Sequence, residues 1–273
     1  MKRSVIGAAA AFAVAIPTLE AQQRAPAEVF HSTQSANLPT AATMREGDWL
    51  FEISHRFLPT FSEGVDALWG LDGPVYNRLG LSYSVSDWAM LGVLRTNLED
   101  NVELNTKLRL YEGGSAGMPF LLGLMGGVAW NTDPFLVDGA EDNEVQLYGQ
   151  LMLNALFAER LALGVVPTIV RNPRIQDDED EIENVFVLGL HGQLYVSDAV
   201  SLLGEWILGE ERLDLESDSG TFGIELETRG HFFKLLATNQ PRMNPTQFLG
   251  GTPFEFGPDE WRFGFNLTRL LPF

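Results

Sequence analysis

The chain has 273 residues, no cysteine and a formal net charge of −19 at pH 7. This acidity argues against nucleic acid as a partner, because its phosphates would be repelled. The lack of cysteine excludes a disulfide framework, a thiolate metal site and a lipid-modified N-terminal cysteine.

The first 21 residues predict a secretory signal peptide. Lys2 and Arg3 form a basic start, and an apolar run follows that is too short to span a bilayer. Ala21 ends an acceptable cleavage site before Gln22, although a soluble N-terminal helix is the alternative. Residues 22–46 lack periodicity and predict a periplasmic lead-in, partly ordered against the mouth of the domain that follows. No later stretch is apolar over the roughly 18 residues that a transmembrane helix needs.

From Trp49 onward, apolar and polar residues alternate over short stretches, as they do in β-strands with one apolar and one polar face. The fourth stretch is the clearest, with Leu104 on one side and Glu103 and Asn105 on the other. Proline cannot donate to a strand ladder, so Pro167 predicts a bulge in the seventh. The predicted strands are 49–57, 75–85, 88–97, 102–110, 118–131, 145–157, 161–171, 186–196, 199–209, 222–229, 231–239 and 261–273.

The last of these strands organises the prediction. Large apolar residues occupy alternate positions from Trp261 to Leu267, and the chain ends on a phenylalanine. Such a terminal strand is typical of bacterial outer-membrane barrels, whose assembly machinery reads it. The residues expected to form this assembly signal are Phe265, Leu267, Leu271 and Phe273.

The lengths of the connections alternate as well. Connections after even-numbered strands are short, and those after odd-numbered strands are long except at 98–101. This rhythm is typical of outer-membrane barrels with both termini in the periplasm, and a soluble β-protein would not need it. The sequence therefore predicts that residues 47–273 form an all-β, antiparallel transmembrane barrel of about 12 strands, with about 10 to 14 allowed. Its first and last strands must pair, because an open edge is costly in lipid.

Several short stretches, taken in order, are similar to one known family. They are His55-Arg56-Phe57, Gly70-Leu71-Asp72-Gly73, Arg78-Leu79-Gly80-Leu81, Lys107, His231-Phe232-Phe233 and Phe263-Gly264-Phe265-Asn266. Through them the chain resembles an uncharacterised family of bacterial outer-membrane barrels, catalogued as a domain of unknown function, over most of residues 47–273. The resemblance implies a barrel in the cell envelope. It implies no established activity, so no catalytic residue is carried over.

In this interpretation the polar faces of the strands surround the lumen, and they carry charges of both signs. These side chains either form a network of ion pairs that fills a narrow barrel, or they line a pore or binding cavity for small solutes. Either way they must be paired or hydrated, because a lone buried charge is costly. The residues expected to face the lumen are Glu52, Arg56, Arg78, Glu103, Lys107, Arg109, Gln150, His191, Glu205, Glu225, Glu227, Lys234, Arg262 and Asn266.

Catalytic and metal sites find little support. His55 lies on the apolar face of its strand, whereas Ser54, Ser82 and Ser84 lie on the polar, lumen-facing side. No lipid-facing Ser–His pair is therefore predicted. The acidic stretch 177–181 could bridge divalent cations, but it lacks the spaced ligands and the glycine of a calcium loop. The four histidines show no metal-ligand spacing. We therefore predict no catalytic residue, no metal and no cofactor.

These observations predict a monomeric, non-enzymatic outer-membrane barrel. Its expected partners are outer-membrane lipid and, through the last strand, the barrel-assembly machinery. The first functional hypothesis is a narrow channel or transporter for small polar solutes. The alternative is a non-conducting structural or adhesion barrel that presents its long loops, and a lipid-modifying enzyme is the third.

Overall fold

A computed structural model describes residues 28–115, 117–132, 145–173, 184–208 and 217–272. The predicted signal peptide, the acidic stretch 177–181 and Phe273 lie outside these ranges. Within them, antiparallel strands form a closed barrel in which each strand pairs with the next and the first with the last. The strands are β1 (Trp49–Thr60), β2 (Val75–Ser86), β3 (Ala89–Thr96), β4 (Asn101–Ser115), β5 (Met118–Asn131), β6 (Gln146–Phe157), β7 (Leu161–Arg171), β8 (Asn184–Ser197), β9 (Val200–Leu208), β10 (Ser219–Thr228), β11 (His231–Thr238) and β12 (Arg262–Leu271). The predicted twelve-stranded closed barrel is confirmed.

The two ends of the barrel differ in their connections. Turns of two or three residues follow the even-numbered strands and define what we call the short-turn end. The first and last strands also meet there, where Trp49 pairs with Leu271. The opposite, long-loop end carries a 3-10 helix (Phe61–Gly70) and the short helix α1 (Pro245–Phe248). No helix within the described ranges is long and apolar enough to cross a membrane.

The predicted bulge at Pro167 is wrong. Pro167 lies opposite Leu188 in an unbroken β7–β8 ladder, and the β6–β7 pairing keeps one register on both sides of it. The proline removes one donor from the ladder without displacing the strand. Register shifts occur instead at 56/60 between β1 and β12, at 84/86 between β2 and β3, at 109/111 between β4 and β5, and at 195/197 between β8 and β9.

The strands present an apolar outer face and a buried inner face. Along β7, for example, Leu163 and Val165 are exposed on the outside, whereas Ala162 and Val166 are fully buried inside. Similar outward apolar side chains occur all around the barrel. An apolar surface of this extent is unfavourable in water and suits a hydrocarbon environment.

Candidate functional site

The lumen is filled by two segments of the chain itself. Residues 28–44, which we call the N-terminal plug, contact the short-turn end through His31 and Met44 and are largely buried. Residues 239–252, which we call the inturned loop, fold inward from the long-loop end and are also buried. A cavity of about 50 Å³ beside the plug has room for a few water molecules. The lumen is therefore closed in this structure.

Residues 28–44, the described and largely buried part of the predicted lead-in, thus lie within the barrel. Val29, Phe30 and Leu38 are fully or almost fully buried and join a core cluster with inward side chains of the wall. The plug reverses direction in the lumen, where the Ser35 amide donates to the Leu38 carbonyl at 2.8 Å. Buried apolar contacts and internal hydrogen bonds together account for its position. The location of this segment relative to the periplasm stays a prediction.

Two lysines of the wall hold the backbone of the plug. The Lys234 ammonium donates to the carbonyls of Gln34 and Ser35 at 2.6 and 2.9 Å. The Lys107 ammonium donates to the carbonyl of Thr33 at 2.5 Å. A buried carbonyl needs a donor, and an ammonium supplies up to three. These lysines therefore satisfy plug carbonyls that no strand ladder can reach.

Acidic and amide side chains satisfy other groups of the plug. The Glu205 carboxylate accepts from the backbone amides of Asn37 and Leu38 at 2.9 and 2.8 Å, and from the Asn37 side-chain amide at 3.0 Å. The Asn266 side chain donates to the Ala36 carbonyl at 2.7 Å. Charge-assisted hydrogen bonds of this kind are stronger than neutral ones. Glu205 is consequently the main anchor for the tip of the plug.

Arg78 connects the wall with both internal segments. Its guanidinium is 1% exposed and forms an ion pair with Glu52. It also donates to the side-chain oxygen of Gln34 in the plug at 3.3 Å and to the carbonyl of Met243 in the inturned loop. Ser54 supports the pair by donating to Glu52 at 2.5 Å. Buried charges are tolerated when their partners are this complete.

The structure places the other lumen candidates in two environments. Arg109 and Glu227 lie at the short-turn end and are partly exposed. His191 stacks on Phe30 of the plug with ring centroids 4.7 Å apart, and Glu103 accepts from the Tyr148 hydroxyl at 2.6 Å. Buried on the inner face are Glu52, Arg56, Arg78, Glu103, Lys107, Gln150, His191, Glu205, Glu225, Lys234, Arg262 and Asn266.

The sequence interpretation missed the plug partners of these residues. Asn37 and Asn154 bind across the plug–wall contact, and the Asn154 side chain accepts from the Ala41 amide at 2.6 Å. The available signal was charge: residues 29–44 contain no Asp, Glu, Lys or Arg, although a fifth of the chain (20%) is charged. So long an uncharged stretch in an acidic protein indicates burial.

The outer face shows no catalytic arrangement around His55 in the part of the chain that the structure describes. Its register partners are Asn77 and Phe265, and its ring centroid lies 4.6 Å from that of Phe265. The described ranges also contain no cluster of three or more His, Asp or Glu side chains that could hold a metal. Phe265, Leu267 and Leu271, which the sequence predicts to belong to an assembly signal, lie on the outer face of β12 and are partly covered by neighbouring strands.

The plug is fastened at the short-turn end by an ionisable contact. His31 Nδ1 lies 2.6 Å from the Glu227 carboxylate, and its ring stacks on Tyr195 with centroids 4.2 Å apart. The hydrogen bond to Glu227 raises the pKa of His31 above its ordinary value, burial opposes this, and the charges of Glu28 and Glu225 add to it. Because the pKa is raised in the docked state, the contact stabilises fully below pH about 6.5 and weakens as pH rises through the raised pKa.

We therefore expect His31→Gln to remove a pH-dependent part of the stability. The difference in free energy of unfolding between wild type and variant should be largest near pH 5.5 and should shrink towards pH 9. Urea unfolding of the detergent-solubilised barrel across this range measures it. In a Glu227→Gln background, the effect of His31→Gln on the free energy of unfolding should change little with pH. A difference between wild type and His31→Gln that stays constant with pH would contradict the assignment.

Comparison with known proteins supplies the family. A family model described as "Membrane bound beta barrel domain (DUF5777)" matches residues 30–271. No curated protein is significantly similar in sequence.

Several solved structures have a similar overall shape. The NanC porin gives a TM-score of 0.46 at 10% identity, covering 81% of this chain and 98% of the porin. Omp33 of Acinetobacter baumannii gives 0.43 at 8% identity, covering 83% and 99%. Outer membrane phospholipase A from Escherichia coli gives 0.40 at 13% identity, covering 82% and 89%. None of these likenesses assigns an activity to this chain. The family model covers most of the chain, which therefore belongs to this family of membrane-bound β-barrels.

Proposed function

We propose that the barrel is closed at rest and that displacement of the N-terminal plug opens a narrow path for small polar solutes. The observation that carries this proposal is the contact between plug and wall. Beside the apolar contacts of Val29, Phe30 and Leu38, the wall binds the backbone of the plug through polar and charged side chains, among them Lys107, Glu205 and Lys234. Such side chains can exchange the plug for water, which apolar packing could not do without a large loss of free energy.

The barrel does not depend on the plug for its strand pairing. Every strand is paired on both sides, and β1 pairs with β12 as well as β2. Removal of residues 28–44 therefore leaves the backbone ladder complete. The inner wall would then carry five cations and four carboxylates, so strong selectivity for one sign of charge is not expected. These side chains are Arg56, Arg78, Lys107, Lys234, Arg262, Glu52, Glu103, Glu205 and Glu225.

The first test compares the signal-cleaved chain with a variant that lacks residues 28–44, each refolded into a planar bilayer. We expect no conductance steps from the intact chain and discrete steps from the deletion variant. A synthetic peptide of residues 28–44, added on the short-turn side, should reduce the steps. Steps of equal size from both proteins would overturn the closed state. A folded deletion variant that stays silent would overturn the plug as the gate.

A disulfide gives a matched and reversible control. A Cβ built on Gly123 of β5 would lie 3.1 Å from the Cβ of Ala41 in the plug and 2.8 Å from the Met152 methyl group, so the plug and the Met152 side chain must shift slightly to reach a disulfide spacing of about 3.5–4.5 Å. The chain has no native cysteine, so Ala41→Cys with Gly123→Cys forms a single pair. We expect any residual opening of the cysteine variant to stop on oxidation and to return with a reductant. Ala41→Cys alone should not respond.

A second candidate function follows from the inturned loop. Residues 239–252 are buried at the long-loop end, and Gln247 of α1 donates to the Leu98 carbonyl at 3.0 Å. This second closure favours a non-conducting barrel that presents its loops. A silent but folded deletion variant, together with loss of cell adhesion when the loop residues 61–72 are replaced, would support it. Unchanged adhesion would count against it.

The remaining expectations from the sequence are kept as proposals. We propose that the short-turn end faces the periplasm, that the protein is monomeric and non-enzymatic, and that β12 is read during assembly. The surroundings of His55 support the absence of lipid-cleaving activity, because neither of its register partners offers a nucleophile. Release of fatty acid by the purified barrel, abolished by His55→Ala, would overturn this part.

A further inference from the structure

The outer wall of the barrel contains a pit that the closed lumen does not explain. Across four adjacent strands, one row of register partners reads Leu163, Gly192, Gly204 and Phe222. All four belong to the outward face, and the two outer members are exposed. The paired glycines therefore leave a gap, two strands wide, between two large apolar side chains.

The next row towards the long-loop end borders the gap. It contains Val165, Leu190 and Trp206, which are register partners across β7, β8 and β9. Together with Leu163, Phe222 and the two glycines, they line an open depression of about 370 Å³ in the outer wall. This volume falls in the range of ordinary ligand pockets, and almost all of the surface exposed in the pit is apolar, although His191 and Glu205 also border it.

An aromatic cluster borders the pit towards the long-loop end. The ring of Phe256 lies 4.6 Å from that of Trp206 and 6.0 Å from that of Phe222. The Trp206 indole N–H donates to the Asp218 carboxylate at 3.1 Å, which orients the ring with its polar edge away from the pit. Aromatic side chains of this kind mark the membrane–water boundary of outer-membrane barrels. The pit therefore lies in the hydrocarbon layer, just inside that boundary.

We infer that the pit is a binding site for an acyl chain of a membrane lipid from the leaflet at the long-loop end. The wall around it is the lipid-facing surface of the barrel, so the pit is continuous with an interface that lipid already occupies. A chain on the smooth wall touches protein on one side only. A chain in the pit also contacts Leu163, Trp206 and Phe222, and dispersion contacts grow with the number of neighbouring atoms.

The two glycines allow a sharp test. A Cβ built on Gly204 meets the Phe222 ring at 3.6 Å, an ordinary contact, so Gly204→Leu can fill the pit from the lipid side. Gly149 supplies the matched control, since it also faces outward, pairs with another glycine (Gly126) and would place its Cβ 3.7 Å from Ile169. Both substitutions put the same side chain into the same environment, and only one of them enters the pit.

Native mass spectrometry of the full chain in detergent, titrated with dioleoyl phosphatidylethanolamine, measures the outcome. We expect one lipid to remain bound under activation that removes all others, and Gly204→Leu to weaken this first binding at least about tenfold. Gly149→Leu should leave it unchanged.

Equal retention by wild type and Gly204→Leu would overturn the inference, as would equal loss in the Gly149→Leu control. A change of oligomeric state with Gly204→Leu at constant lipid retention would assign the pit to a second barrel instead. The milder Gly204→Ala, which should weaken binding in part, covers the case in which the leucine variant fails to show the gel mobility of a folded barrel.

Discussion

Replacement of Arg78 by methionine is expected to lower the free energy of unfolding by about 3–5 kcal/mol. The substitution leaves Glu52 as a buried carboxylate without its cationic partner. It also takes a donor from Gln34 of the plug and from Met243 of the inturned loop. Most of this cost therefore comes from the Glu52 carboxylate, which stays buried without a cationic partner. The loss of its attraction to Arg78 contributes less. Urea unfolding followed by tryptophan fluorescence in lipid vesicles measures the change.

An exposed ion pair of the same type provides the control. Arg95 and Asp100 lie 2.5 Å apart at the long-loop end, with side chains 50% and 36% exposed. Arg95→Met should cost no more than about 1 kcal/mol, because water replaces the lost partner. The double variant Arg78→Met with Glu52→Gln should recover much of the stability. If Arg78→Met is as mild as Arg95→Met, the buried network does not have the role assigned to it.

Replacement of Glu205 by leucine is expected to release the tip of the plug while the barrel stays folded. The amides of Asn37 and Leu38 would lose their acceptor, at about 1–3 kcal/mol for each buried donor left unsatisfied. Hydrogen exchange at these two amides should then accelerate at least about 30-fold, whereas that of Leu190 in β8 should not change.

The variant Glu205→Gln distinguishes the hydrogen bonds from the size of the side chain. It keeps one acceptor oxygen and nearly the same shape, so exchange at Asn37 and Leu38 should accelerate far less than in the leucine variant. Acceleration of exchange throughout β8 and β9 would show that Glu205 supports the wall and is not specific to the plug. Unchanged exchange at both plug amides would refute the anchoring role.

The barrel itself follows from local patterns in the sequence. Alternation of the kind seen from Glu103 to Lys107 fixes which side chains face inward, and the rhythm of short and long connections predicts the closed antiparallel order. The bulge predicted at Pro167 was wrong because the missing donor of a proline can be tolerated without a shift of register.

The contents of the lumen could not be predicted in the same way. Residues 28–44 have no strand or helix period, and their partners Lys107, Glu205 and Lys234 are between 63 and 206 positions away from the plug. These contacts join residues that are far apart in the sequence, so local propensity carries no trace of them. The uncharged composition of 29–44 indicated burial, but composition alone does not say where a segment is buried.

The position of the plug in the chain has a consequence for folding. Four residues separate it from β1, and β1 completes the ring by pairing with β12, the strand made last. This seam joins Trp49 to Leu271, the most distant contact of the wall in sequence, and contacts of such separation form slowly. While the sheet is still open, the lysines and carboxylates of its inner face would lie next to the membrane. With residues 28–44 already bound to them, the growing sheet closes around an internal template whose polar groups are satisfied. We therefore expect the plug to accelerate ring closure, and the variant that lacks it to refold more slowly even where its final stability is unchanged.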